Sequence, residues 1–392
     1  MYQQIIQENM MKNILTRKTI FRLSIVWIIV IVLILFEDQI FKSDFSLLSA
    51  SFVFAVLLTT ILTASFGVVK EADELAHKLG EPFGTLILTL SIVTIEVVLI
   101  AAVMLGPAES PTIGKDSIFS VMMIIMNLVV GLCILLGGLK YKEQEYNAQG
   151  TLAYFSMIVI LGATSMLLPN FIQGAGNGAF TKVQALFIST LVIAVYIAFL
   201  RYQLKGYNHL YIQPAIGQLE IAYPKEKKLS RDKQQEDKIS NKNEIWIRSI
   251  LLILMILPIV LLSHHMAVVV DYGIATAKLP LALGGILIAI IVFTPESITA
   301  VKAALNNEFQ RSINLCHGAF VSTVGLTVPA VLIVGLLQGK LVLFGLTNTE
   351  MILFTMTLLL SLISFLGKRT TPILGIIHLA LFAIYIMLVF NP

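Results

Sequence analysis

Long apolar runs separated by short polar segments dominate the chain. Eleven of them read as membrane-spanning helices, at about 22–36, 45–69, 82–105, 117–139, 150–168, 180–200, 246–263, 279–304, 312–337, 350–366 and 372–390. A helical crossing needs ~20 mainly apolar residues, which these runs supply or approach. Two of the runs contain side chains that a lipid-facing helix excludes: Glu96 in the third, and Thr294-Pro295-Glu296 in the eighth. The pattern predicts an all-α integral membrane protein with eleven transmembrane helices. The first run starts near Phe21 and no small-residue cleavage site follows it, so it reads as a retained span rather than a signal peptide.

Composition agrees. Of the 392 residues, 57% are hydrophobic and 13% charged, against about 25% charged in a soluble domain, so there is too little charge to cover a water-facing surface. The net charge of +4 matters less than its placement. With the N-terminus inside, the inner segments hold Lys12, Arg17, Lys18, Arg22, Lys70, Lys78, Lys140, Lys142, Lys302, Arg311, Lys368 and Arg369 together with the basic stretch before Glu244. The outer ones hold Lys42, Lys115, Lys182, Lys278 and Lys340. This bias predicts a cytoplasmic N-terminus, and an odd number of spans then puts Pro392 outside. No long basic run suggests nucleic acid as a partner. Cys133 and Cys316 lie in apolar runs and read as small buried hydrophobes, not as a disulfide or a zinc site.

The longest polar stretch, 202–245, mixes Lys, Arg, Asp and Glu with few apolar residues and reads as a mobile cytoplasmic linker. It divides the spans six to five. With a tail and first helix over 1–44 set aside, five spans lie in 45–201 and five in 246–392. The second span of each set carries the same mark: Thr94-Ile95-Glu96 in one and Thr294-Pro295-Glu296 in the other, each in the middle of an apolar run. The following span in each set opens with a basic residue and a serine, Lys115 to Ser117 and Arg311-Ser312. An odd number of spans per unit forces two such units into opposite orientations. The expected architecture is therefore one extra N-terminal helix plus two inverted five-helix repeats, with a substrate site at the repeat interface near the midplane.

Glu96 and Glu296 are the chemistry-bearing residues. An ionisable side chain at such depth costs ~2.5–3.5 kcal/mol on insertion scales, and an intramembrane acid is functional by default. Two carboxylates suit a divalent cation such as Ca²⁺, which takes six to eight oxygen ligands. Without the ion, two neighbouring carboxylates repel and are poorly solvated, so the empty site takes up protons. Competition of ion and protons for the same oxygens is exchange, and it needs no catalytic group and no cofactor.

Neutral oxygens are available nearby. Thr94 and Thr294 precede the two acids; Ser117, Ser120 and Asn127 share one face of the next span; and Ser312, Ser322, Thr323 and Thr327 lie in its counterpart. Of these, Thr94, Thr294, Asn127, Ser120, Ser322 and Thr323 are the candidate further ligands or lining groups. Asn127 and Thr327 each lie 31 residues beyond their Glu. Pro295 removes a helical hydrogen bond beside Glu296 and so frees a carbonyl at membrane depth. Glu71, Asp73, Glu74 and Glu81 form an acidic group that reads either as a cytoplasmic vestibule or as a solvated loop. His264 and His265 sit at the outer end of a span, and His317 and His378 lie within spans, where they serve proton movement or packing.

The run from Ala76-His77-Lys78-Leu79-Gly80-Glu81-Pro82-Phe83-Gly84 to Leu90, with Glu96, resembles bacterial Ca²⁺/H⁺ antiporters of the cation/calcium exchanger superfamily. So do Pro295-Glu296, Leu305-Asn306-Asn307, Gln310-Arg311, Leu326-Thr327-Val328-Pro329 and His378-Leu379-Ala380-Leu381-Phe382-Ala383. The resemblance covers roughly residues 65–390. It implies a first helix followed by two inverted five-helix repeats, with the acid of each repeat, here Glu96 and Glu296, binding the ion. Some members move Na⁺ or K⁺ against H⁺, so the cation stays open. The chain departs from much of the superfamily in having Ile92-Val93 where Gly-Asn is common and Ser297 where His follows the second Glu.

The expectation is an alternating-access antiporter of the cell membrane that exchanges cytoplasmic Ca²⁺ for external H⁺, with Na⁺(K⁺)/H⁺ or Na⁺/Ca²⁺ exchange on the same fold as the alternative. Its partners are the cation, protons and the lipid bilayer. No His-Glu-x-x-His or Gly-x-Ser-x-Gly motif stands in a span, which argues against an intramembrane enzyme.

Overall fold

The computed structural model describes residues 14–41, 46–79, 83–104, 111–214 and 234–391. The chain is almost wholly helical, and it forms two compact units, residues 1–95 with 222–269 and residues 96–221 with 270–392.

In the first unit α1 (Arg17–Leu35), the short α2 (Glu37–Ile40) and α3 (Leu47–Leu79) lie with the greater part of α9 (Gln234–Ala277). Thr16 caps α1 by accepting a hydrogen bond from the Thr19 backbone. α1 packs on α3, and the Trp27 indole donates to the Leu254 carbonyl of α9 at 3.0 Å. α9 starts at Gln234, inside the stretch read from sequence as linker, where Gln, Glu and Lys are good helix formers. Residues 215–233, which carry much of that linker, lie outside the described residues.

α4 (Phe83–Met104) carries Glu96 and passes from the first unit into the second. The second unit then contains α5 (Ile113–Met122), a π-helical turn at Met123–Val129, and α6 (Val130–Tyr141), which together make one span. α7 (Ala148–Gly162) and α8 (Lys182–Leu204) follow, and after α9 come α10 (Ala282–Leu305), which carries Pro295 and Glu296, and α11 (Phe309–Ser322). A further π-helical turn, Thr323–Thr327, joins α11 to α12 (Val328–Gln338), and α13 (Asn348–Phe365) and α14 (Pro372–Phe390) complete the chain. Ten helices among the described residues are long and apolar enough to cross a membrane, and α4 supplies the eleventh apolar segment. The protein is thus a multi-pass, all-α membrane protein.

Close helix approach in the second unit rests on small residues, as expected where lipid offers no hydrophobic drive. A side chain on Gly375 of α14 would meet the Gly131 carbonyl and the Leu135 nitrogen of α6 at 2.6 Å, and one on Gly285 of α10 would meet the Asp116 backbone of α5 at 2.4 Å. Between the spans, β1 (Gln144–Glu145) pairs antiparallel with β2 (Arg369–Thr370), and the Arg369 guanidinium binds Glu143 and Glu145 over this pairing.

Of the three π turns among the described residues, the one at Ala163–Leu167 follows α7, and the other two begin at Met123 and Thr323, each 27 residues beyond the Glu of its own half. Single π turns inside α-helices occur often at functional sites. Here the latter two mark the same place twice.

Candidate functional site

Glu96 and Glu296 both belong to the second unit. Glu96 is wholly buried, and its Oε2 accepts hydrogen bonds from Thr323 Oγ1 at 3.0 Å and Thr327 Oγ1 at 2.8 Å. These two hydroxyls are four residues apart, so the π turn presents both to the same oxygen. They come from the half of the chain that carries Glu296, so the second half supplies the donors for the acid of the first. Glu96 Oε1 is buried with no hydrogen-bond partner. Glu296 is half-buried, and its Oε2 is likewise buried and without a partner. The two carboxyl groups lie within electrostatic reach of each other. Each acid thus carries one buried acceptor oxygen without a partner. Buried polar atoms are rarely left so, and each such atom calls for a proton, an ion or a water.

Pro295 has no N–H, so the Ile291 carbonyl lacks its helical donor one turn before Glu296. Cys316 lies beside both Cys133 and Glu296, and both cysteines are free and buried. Among the described residues, no group of three or more His, Cys, Asp or Glu could hold a metal ion. A cation at this place would rely on two carboxylates and neutral oxygens.

The other expected lining residues are placed differently. The Thr94 and Thr294 hydroxyls are spent on the carbonyls of Leu90 and Ile290 in their own helices, and Thr94 is exposed. Ser322 donates to the Ala319 carbonyl at 2.8 Å. Ser120 donates to the Asp116 carbonyl and pairs with the Tyr385 hydroxyl at 2.9 Å. Asn127 lies on the π turn that packs against α10, but its Nδ2 donates to Thr357 Oγ1 at 2.9 Å rather than to an acid. Thr327 was legible in sequence only as a member of a polar face, and its offset of 31 residues from Glu296 was the available signal.

In the first unit Glu71 is buried and bound to Arg248 at 2.9 Å; Arg248 also binds Glu74 at 3.2 Å and Glu244 at 3.0 Å, and Lys78 binds Glu244 at 3.0 Å. Glu71 thus spends its charge on a buried ion pair instead of facing open water, while Asp73 is exposed and Glu81 lies outside the described residues. In the second unit, Lys115, expected in an outer polar segment, is buried between Asp116 at 2.9 Å and Glu350 at 2.7 Å.

The fold is a multi-pass helical bundle with one acid in each half of the chain carrying a buried, unpartnered oxygen. The sequence matches the sodium/calcium exchanger protein family over residues 49–205 and 248–391, and the chain belongs to that family. It is similar to the sodium-potassium/proton antiporter ChaA of Escherichia coli (strain K12), 33% identical over 85% of this chain and 87% of that one. It is also similar to a Ca(2+)/H(+) antiporter of Aphanothece halophytica, 27% identical over 54% of this chain and 57% of that one. Among solved structures, the Ca²⁺/H⁺ antiporter YfkE has the same fold, with a TM-score of 0.70 at 15% identity over 95% of this chain and 100% of that one. The H⁺/Ca²⁺ exchanger CAX superposes with a TM-score of 0.63 at 13% identity, over 95% of this chain and 89% of that one.

Proposed function

We propose that the protein is a secondary-active cation/proton antiporter in which Glu96 and Glu296 hold either the cation or protons, and that Ca²⁺ is the cation. The observation that carries this reading is the pair of bare, buried carboxylate oxygens, one on each acid. A divalent cation bridging them balances two negative charges in a low-dielectric site, and oxygen ligands suit Ca²⁺. When the ion leaves, protons replace it, since two uncompensated carboxylates this close are costly. The Thr323 and Thr327 hydroxyls stabilise the charged form of Glu96, which is the form that takes the cation.

Orientation follows the Lys and Arg bias, with the N-terminus cytoplasmic and the C-terminus outside. Under an inward proton gradient, alternating access between two inverted repeats then extrudes the cation. A second reading, Na⁺ or K⁺ in place of Ca²⁺, is favoured by the similarity to the Escherichia coli sodium-potassium/proton antiporter. In that case one carboxyl keeps its proton while the other balances the monovalent ion.

Proteoliposomes loaded with a pH-sensitive dye separate the two. Ca²⁺, Na⁺ and K⁺ are added in turn under an imposed pH gradient. Proton movement driven by Ca²⁺ supports the first reading, movement by Na⁺ or K⁺ alone supports the second, and movement by none of them contradicts antiport.

A further inference from the structure

A second buried polar cluster lies in the same unit, outside the carboxylate pair. α13 carries Thr357, Ser361 and Ser364 on one face, and all three are essentially inaccessible. Facing them is His378 of α14, which is fully buried. Its Nδ1 lies 3.3 Å from Asn127 Oδ1 and its Nε2 lies 3.0 Å from Ser364 Oγ. The Asn127 amide is oriented by its donation to Thr357, so Oδ1 accepts from an Nδ1 proton, and the Nε2 lone pair accepts from the Ser364 hydroxyl. His317 of α11 is also fully buried and lies within electrostatic reach of His378, between the rings of Tyr154 and Phe365. Neither of its nitrogens has a hydrogen-bond partner, and the Ser361 hydroxyl has none either.

Three orphaned polar atoms beside a fully bonded histidine are expensive in a membrane interior. They have a use if the cluster takes up something small. Its chemistry selects what. The cluster holds two imidazoles, hydroxyls and an amide, and two imidazoles fall short of the three or four ligands of a transition-metal site. Imidazole lone pairs accept a proton.

We propose that His378, with His317 beside it, is a proton-holding station separate from Glu96 and Glu296. The proposal rests on the reading of the chain as a proton-coupled exchanger. A proton added at His378 Nε2 gives an imidazolium whose two N–H groups face Ser364 Oγ and Asn127 Oδ1, and the Ser364 hydroxyl turns from donor to acceptor. Loss of the same proton restores the neutral ring. The cluster reaches toward the end of the spans where β1 and β2 pair, through the Tyr146 hydroxyl on the Ser364 carbonyl.

α14 packs against α6, the Met123–Val129 turn and α13. The titratable groups of these elements and of α14 itself are Cys133, Lys140, Tyr141, Glu350 and Tyr385. Lys140 and Tyr141 donate to the Leu305 carbonyl, Glu350 is held by Lys115, Tyr385 pairs with Ser120, and Cys133 lies beside Cys316. His317 is then the titratable group that bears on His378.

The test uses the full chain in lipid nanodiscs, labelled with ¹⁵N-histidine and titrated from about pH 9 down to about pH 4, through and below the range in which an exposed histidine switches. It is run on the wild type and on the E96Q/E296Q double variant, with His378 assigned by its loss in H378Q. The expected result is conversion of the His378 resonances to the imidazolium form in both proteins. In proteoliposomes, H378Q moves the pH of half-maximal exchange by about one unit, a tenfold change in proton concentration. Its half-saturating cation concentration at the pH plateau stays within about twofold of wild type. Ser364→Ala, which keeps the imidazole, moves the midpoint in the same direction by less. A His378 ring that stays neutral throughout, or an H378Q rate reduced by one factor at every pH, overturns the proposal. An active E96Q/E296Q variant would instead remove the carboxylate reading, leaving the His378 resonance to decide the station by itself.

Discussion

Thr327 Oγ1 donates to Glu96 Oε2 at 2.8 Å, joining residues 231 positions apart, and Thr323 reaches the same oxygen at 3.0 Å. The acid of one half is thus stabilised in its charged form by hydroxyls of the other. Hydrogen bonds to charged groups contribute about 1.5–3 kcal/mol. Thr327→Val, which keeps the shape and removes the donor, is expected to raise the half-saturating cation concentration at fixed pH by about tenfold, as the proton gains in its competition with the ion. Cation titration of exchange rate in proteoliposomes checks this, and an unchanged half-saturation counts against the hydrogen bond as a part of cation capture.

Gly375→Ala tests the contact of α14 with α6. Its new methyl would meet two backbone atoms at 2.6 Å, which a rotamer change cannot relieve. Overpacking of this kind costs about 1–3 kcal/mol. A lower melting temperature in detergent is expected for Gly375→Ala, whereas Gly273→Ala, where no heavy atom lies within 4 Å, leaves it unchanged.

Arg248 anchors the ion-pair network of the first unit. Removing it leaves Glu71, 1% exposed, with the half-exposed Lys70 at 3.6 Å as its remaining cationic partner among the described residues. Breaking a buried pair from one side costs about 3–5 kcal/mol. Arg248→Ala is expected to be strongly destabilising by thermal melting, and the Arg248→Ala/Glu71→Gln double variant less so than the single one. Equal losses in the two would show that the pairing contributes little.

Tyr146 lies between β1 and α7, outside the spans, with its ring against Phe309 and Phe365. Burial holds its phenol well above the ordinary tyrosine value. Above about pH 10 the unfolded chain gives up this proton while the folded chain keeps it, so the unfolded state binds fewer protons and stability falls as pH rises. The contribution is constant below that pH and is lost above it, until the folded phenol also ionises. Melting temperatures at about pH 9 and about pH 11 should show a smaller alkaline loss in Tyr146→Phe than in wild type.

Much of this architecture was legible because lipid imposes a simple code. Apolar runs of the required length appear directly in the sequence, and Glu96 and Glu296 stand out because they are the only acidic residues in their spans. Their spacing from Asn127 and Thr327 pointed to the spans that now carry the π turns. What the sequence hid was partner choice. Thr94 and Thr294 stand beside the acids in sequence, and in the fold each hydroxyl donates to the carbonyl one turn back in its own helix. Lys115 looked like a loop residue because Glu350, one of its two carboxylate partners, lies 235 positions away. Glu350 itself is legible only as part of the Thr347 capping box. Asn127 was expected beside the acids for its need of partners, and that need is met by Thr357 and His378 on helices no local pattern connects to it.

The central claim is that the bare oxygens of Glu96 and Glu296 hold cation and protons in turn. Its most direct test is cation-driven proton movement in proteoliposomes containing Glu96→Gln or Glu296→Gln, each checked for a wild-type melting profile. The account predicts that both variants lose the proton signal for every cation that drives it in the wild type. Wild-type exchange rates in both would contradict it.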